Sequence, residues 1–165
     1  MSSGTEGATS TWAPEERYLE DFVVGQQILT GGRTVDQADI NQFAGLTGDN
    51  YPLHVDLMKA ENGRFGERIA HGPLTFSIAV GLVALSGWYS NCIEALIECR
   101  TMRATAPVRS GDTLRVRATV LETENHKSPK YGVLHVGYDV INQKDETVMT
   151  FHWVMLARRR TPLEA

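Results

Sequence analysis

One aspartate and one histidine stand five residues apart in the segment Phe43-Ala-Gly-Leu-Thr-Gly-Asp-Asn-Tyr-Pro-Leu-His54. Gly48 and Pro52 both work against a continuous helix across it. The spacing therefore predicts that Asp49 and His54 share one tight, stiff loop. A carboxylate and an imidazole held together can grip a water molecule and move its proton. That is the equipment for adding water to a double bond or removing it.

The elements around this pair must hold it in place. Tyr18 to Gly25 reads as a lead-in segment closing in a turn, and Gln27 to Arg33 as a short strand. Thr34 and Gln37 have capping-box spacing and predict a helix start. Ile40, Phe43, Ala44 and Thr47 then fall on one helical face, and Gly48 supplies the stop. A short helical piece is expected from Asp56 to Asn62, with a turn around Gly63 and Gly66. The next segment runs from Arg68 to Gly87. Pro73 suits the first turn of a helix, where a missing N–H is no loss. Leu74, Ile78, Gly81, Leu82 and Leu85 share a face, and the other faces carry almost no charge. This helix is expected to be buried nearly all round. Its small residues Ser77, Ala79, Gly81 and Ala84 would let neighbouring backbones approach.

The second half reads as strands. Ile93 to Arg103 is one, and Pro107, Gly111 and Asp112 mark a turn. Thr113 to Glu122 alternates through Leu114, Val116, Ala118 and Val120. Tyr131 to Asn142 alternates through Leu134, Val136, Tyr138 and Val140. A polar hairpin turn at 143–146 leads to a last strand, Thr147 to Arg158. A long helix followed by long antiparallel strands predicts an α+β fold with the sheet curled around the helix. Residues 15–165 form one domain on this reading, after a flexible tail at 1–14 rich in Ser, Thr, Gly and Ala. A single sheet on a single helix leaves edges to cover, so a homodimer or higher homo-oligomer is expected.

Composition removes several classes of function. Of 165 residues, 42% are apolar and 22% charged, ordinary for a globular domain. The formal net charge is −4, with no basic footprint for nucleic acid. Arg158-Arg159-Arg160 reads as a solvated strand end rather than a phosphate contact. No apolar stretch is long enough for a membrane span, and the N-terminus lacks signal-peptide order. The cytoplasm is the expected compartment. Cys92 and Cys99 lack redox or zinc spacing and read as buried or half-buried small residues. The five histidines lack close ligand spacings, so no metal is expected. His126 reads as solvated, and His135 and His152 as sheet residues rather than ligands. Trp88 and Tyr89 could line a tunnel, but core packing is the better reading.

Phe43-Ala-Gly-Leu-Thr-Gly-Asp49, Pro52-Leu-His54 and Ile69-Ala-His-Gly72 together resemble the MaoC-like hydratases, which include the (R)-specific enoyl-CoA hydratases. The resemblance spans about residues 18–160 and takes in Ala106-Pro-Val-Arg-Ser-Gly-Asp-Thr113. It implies the hot-dog fold, a helix wrapped by an antiparallel sheet. It implies a hydro-lyase that adds water to a 2-enoyl thioester or dehydrates a 3-hydroxyacyl thioester. Asp49 and His54 would be the catalytic pair. The backbone N–H of Gly72 would be the oxyanion donor. Tyr51, His71 and Pro73 would lie along the substrate, His71 chiefly bracing the start of the helix and Tyr51 serving as pocket wall or loop brace. No cofactor is implied beyond the coenzyme A of the substrate, and an acyl carrier protein is the other possible thioester carrier. Two departures stand out. Tyr51 occupies the place of the family's Asn before the proline, and Val80 stands before Gly81 where many (R)-specific hydratases have Ser. The alternatives are a hot-dog acyl-CoA thioesterase and a non-catalytic acyl-thioester-binding subunit.

Overall fold

A computed structural model describes residues 16–164; the expected tail at 1–14 lies outside them. A 3-10 turn at Leu19–Asp21 precedes two short strands, β1 (Gln27–Leu29) and β2 (Arg33–Thr34). Three helices follow: α1 (Gln37–Thr47), α2 (Pro52–Val55) and α3 (Leu57–Glu61). Then comes the long helix α4 (Gly72–Leu85). Four long strands complete the chain: β3 (Ile93–Ala104), β4 (Thr113–Asn125), β5 (Tyr131–Ile141) and β6 (Thr147–Arg158). The sheet order is β1-β4-β5-β6-β3, with β2 also paired to β4, and every pairing is antiparallel. This is the α+β, hot-dog arrangement expected.

Period-two alternation sets the inner face of the sheet. Leu114, Val116, Ala118 and Val120 of β4 join Leu134, Val136, Tyr138 and Val140 of β5 in one core. Leu74, Ile78, Leu82 and Val83 of α4 enter the same core. Each Val, Leu or Ile among them contributes about 1.5–3 kcal/mol by leaving water. The sheet therefore clamps α4, and with it the start of that helix.

The local differences from expectation have physical reasons. Helix α1 is capped by Asp36, not by Thr34 with Gln37. The Asp39 carboxylate accepts the Asp36 N–H at 2.9 Å and is better placed than Gln37 to draw on the positive helix N-terminus. Thr47 is exposed rather than buried, its hydroxyl turned back to the Phe43 carbonyl at 2.7 Å. The strand expected over 27–33 is broken into β1 and β2. At the break the Thr30 hydroxyl takes the Val116 N–H at 2.9 Å, replacing a ladder bond.

Helix α4 is not buried all round. Pro73, Ser77, Gly81, Ala84 and Leu85 lie on an exposed stripe, so Gly81 and Leu85 do not share the buried face of Leu74, Ile78 and Leu82. Cys99 is exposed while Cys92 is buried, because β3 is the outer strand of the sheet. Nearly the whole of β3 is exposed on both faces. Trp88 and Tyr89 pack in the core. Among the described residues no helix is long and apolar enough to cross a membrane.

Candidate active site

Gly48 ends α1 in the left-handed conformation, φ 76°, with its N–H on the Ala44 carbonyl at 2.8 Å. That turn throws Asp49 away from the helix. Its backbone N–H meets the Thr47 hydroxyl at 3.2 Å, and one carboxylate oxygen takes the Tyr51 N–H at 3.3 Å. The expectation of one shared loop needs correction. Pro52 opens the four-residue helix α2, and His54 lies on it. Proline's fixed φ suits a first helical position, so here it starts a turn rather than stretching a loop.

The ring of His54 is set by a backbone carbonyl. Its Nδ1 lies 2.7 Å from the Ile69 oxygen. A carbonyl only accepts, so Nδ1–H donates and Nε2 is left with a free lone pair. The Ile69 carbonyl is itself fixed. Ile69 forms a bridge to Arg109, and the Ala70 N–H donates to the Val108 carbonyl at 2.8 Å. This orienting carbonyl is not legible in the sequence, because a backbone acceptor carries no residue signature.

His71 caps the start of α4 and is completely buried. Its Nε2 donates to the Asp49 carbonyl at 3.0 Å. Its ring stacks on His54 with centroids 3.8 Å apart and an interplanar angle of 29°. Phe43 closes the other side at 5.0 Å. His71 thus ties the Asp49 turn to the helix that carries Gly72. Its Nδ1 is buried with no hydrogen-bond partner.

One carboxylate oxygen of Asp49 and one ring nitrogen from each of His54 and His71 fall within 4.8 Å of one another. Two hydrogen bonds of about 2.8 Å through one water span such a gap. The same three groups form a nominal metal triad. However, His54 Nδ1 and His71 Nε2 are already given to carbonyls, and His71 Nδ1 is enclosed.

Gly72, the first residue of α4, borders a cavity of about 250 Å³ that His54 also lines. A first-turn N–H has no partner within its helix. The rest of the wall is mainly apolar, including Leu53, Phe65, Ala106, Val108 and Met149. Thr75, buried below Gly72, adds a hydroxyl that bonds the His71 carbonyl at 3.3 Å. Sequence reasoning missed Thr75, Phe65 and Met149, which reach the cavity only through the fold. Tyr51 is 66% exposed and lines a shallower outer recess with Lys59 and Arg64. Pro73 is exposed beside Gly72.

A second cavity, about 290 Å³, lies against the later half of α4 between Val80, Ala84, Trp153 and Met155. The hydroxyls of Tyr89 and Tyr138 meet there at 2.8 Å. Burial pushes both phenols well above their ordinary range.

A helix wrapped by an antiparallel sheet, with an Asp/His pair beside the helix N-terminus, is the hot-dog arrangement that the sequence resemblance implies. Residues 21–142 match the family profile described as "MaoC like domain". The chain belongs to that family. It is 35% identical over 103 residues to the (R)-specific enoyl-CoA hydratase of Rhodospirillum rubrum, covering 62% of this chain and 69% of that one. It is 38% identical over 106 residues to Protein MaoC of Klebsiella aerogenes, covering 64% of this chain but 31% of the longer relative. The structure called monoamine oxidase regulatory protein, from Archaeoglobus, superposes with a TM-score of 0.85 at 34% identity, covering 90% of this chain and 99% of that one. A Mycobacterium tuberculosis protein described as having a double hot-dog fold matches with a TM-score of 0.78 at 20% identity, over 90% of this chain and 46% of that one. That last likeness speaks to the fold alone.

Proposed function

We propose that this protein is a hydro-lyase acting on acyl thioesters, adding water to a 2-enoyl-CoA or removing it from the 3-hydroxyacyl-CoA. One observation carries the reading. The Ile69 carbonyl holds His54 Nδ1, a His54 ring nitrogen lies within 4.8 Å of an Asp49 carboxylate oxygen, and His54 and Gly72 both line an apolar cavity.

In the hydration direction a water sits between Asp49 and His54. The pair removes one proton as the water oxygen bonds to the β-carbon. The double-bond electrons move through the α-carbon to the thioester oxygen. The Gly72 N–H and the positive end of α4 stabilise that developing enolate. The α-carbon then takes a proton from the pair, and the sum is H and OH across the double bond. His71 positions the Asp49 turn against the helix and does not touch substrate in this scheme. Tyr51 and Pro73 flank the thioester's way in. Lys59 and Arg64, in the recess outside Leu53 and Phe65, are suited to the phosphates of coenzyme A.

The protein acts as a homodimer on this reading. Strand β3 ends the sheet, and Leu96, Ile97 and Met102 on it are about half exposed. An apolar edge of this length is normally covered. Ile97→Glu is expected to halve the mass measured by light scattering; a wild-type monomer would overturn the dimer.

The deciding assay is loss of enoyl absorbance on a panel of 2-enoyl-CoA thioesters, beginning with the four-carbon acyl chain. Wild-type turnover that vanishes in Asp49→Asn supports the hydratase. Release of free thiol without loss of the enoyl group would replace it with a thioesterase.

A further inference from the structure

A second histidine–carboxylate cluster lies on the face of the sheet turned away from α4. Val120 and Val136 form an inward pair across β4 and β5, yet the next pair is Glu122 with His135. Leu121 is the extra residue of a bulge at that point. The bulge shifts the alternation by one, so Glu122 and Glu124 emerge on the outer face beside His135. Gly137 makes room for it: a Cβ there would lie 3.3 Å from the Leu121 side chain. His152, diagonal to His135 on β6, completes the group.

His135 is only 2% exposed, and its Nε2 is buried without a hydrogen-bond partner. That nitrogen lies 3.4 Å from a Glu124 oxygen. A ring nitrogen of His135 and one oxygen each from Glu122 and Glu124 also lie within 4.8 Å of one another. On the far side of the ring, Nδ1 lies 3.1 Å from His152 Nε2. In the tautomer whose Nδ1–H donates to His152, His135 Nε2 presents a lone pair to a carboxylate that also only accepts, and a cation between the two satisfies both. The neighbouring positive charge, Arg100, is held by Glu98 at 2.6 Å.

We propose that His135, Glu122 and Glu124 bind a divalent metal ion of the zinc type, with His152 fixing the tautomer of His135 from behind. The distances suit it. Two ligands about 2.1 Å from a tetrahedral Zn²⁺ stand about 3.4 Å apart. Histidine nitrogen and carboxylate oxygen are ordinary zinc donors, and a ring N–H given to a further group is the usual way such a histidine is oriented. The fourth position opens to solvent between the two glutamates. The ion would pin β4 to β5 on the outer face, a structural role separate from proton transfer at the α4 N-terminus. Linear spacing could not show it, because the ligands come from two strands and the register is set by a bulge.

The test uses Zn²⁺ itself with full-length protein carrying His54→Ala, which removes the other cluster as a competitor. Equilibrium dialysis is expected to load one ion per chain and to raise the melting temperature. Adding Glu122→Gln and Glu124→Gln, both at surface positions, should abolish that uptake and the thermal shift while circular dichroism stays native. His152→Ala should weaken zinc binding by about 10- to 100-fold. Absence of uptake, or equal uptake with both glutamates changed, would overturn the site. None of these outcomes bears on hydratase turnover, so the two readings fail separately.

Discussion

The two histidine–carboxylate clusters are assembled in opposite ways. Asp49 and His54 are neighbours in sequence, brought together by a glycine turn and a one-turn helix, then buttressed by the fully buried His71 from the next helix. His135, Glu122 and Glu124 are brought together by cross-strand pairing, with one bulge deciding which way the glutamates face. In the first cluster the histidine is oriented by a backbone carbonyl, in the second by another imidazole. The first opens onto a cavity beside a helix N-terminus, where developing negative charge is stabilised. The second lies on a sheet face, where it can hold an ion but meets no helix dipole. On the proposed reading, chemistry belongs to the first and anchoring to the second.

The comparison breaks most severely at Leu121. Inserting one residue between His135 and Val136 gives β5 a residue to match it and restores strict alternation, turning Glu122, Glu124 and His135 toward α4. Burying carboxylates there is expected to cost about 3 kcal/mol or more, read by urea denaturation. Unchanged stability would show that the bulge does not set the outer cluster. Next come the catalytic side chains. Asp49→Asn or His54→Ala should lower kcat at least about 100-fold. Asp49 is exposed and His54 only half buried, so both variants should melt close to the wild type. If either kept near-normal turnover on a confirmed substrate, the proton-transfer pair would be wrong. Glu122→Gln should leave turnover unchanged, which separates the two clusters directly.

The same contrast explains what could be read from the chain before its structure. Helix α4 and strands β4 to β6 were legible because their apolar periods run long and their turns carry Pro, Gly and Asp. The pair at 49 and 54 was legible because both partners lie within one short segment. The capping of α1 was misplaced, since Thr34 and Asp36 offer competing cap positions and only the Asp36–Asp39 contact separates them. Full burial of α4 was over-read. Its exposed stripe is mostly small residues, Ser77, Gly81 and Ala84 among them, and small residues suit a buried face and an exposed one equally. The Ile69 carbonyl, the hydroxyl of Thr75 and the outer cluster were invisible for one reason: each depends on long-range register.

His71→Ala sharpens the comparison from the inside. The change removes the hydrogen bond to the Asp49 carbonyl and the surface on which His54 stacks. A loss of about 1–3 kcal/mol is expected from the unpaired carbonyl. Turnover should fall about tenfold through misplacement of Asp49, within the 100-fold that a shift of one ångström can cause. The split matters more than the size. A positioning residue lowers kcat and stability together, while a residue that only binds substrate raises KM and leaves the melting temperature alone.

The smallest effect is expected where the site reaches outward. Lys59 and Arg64 share the recess beyond Leu53 and Phe65 with Tyr51. Ion pairing with coenzyme A phosphates there would be open to water and screened by salt, contributing about 0.2–1 kcal/mol per pair. Lys59→Ala with Arg64→Ala should therefore raise KM for an acyl-CoA by a few-fold without changing kcat. The increase should shrink as ionic strength rises, because salt weakens the wild-type contacts first. A truncated thioester lacking the nucleotide should show no difference between wild type and variant. A difference that persists with it would move these two residues from carrier recognition to the loop that holds His54.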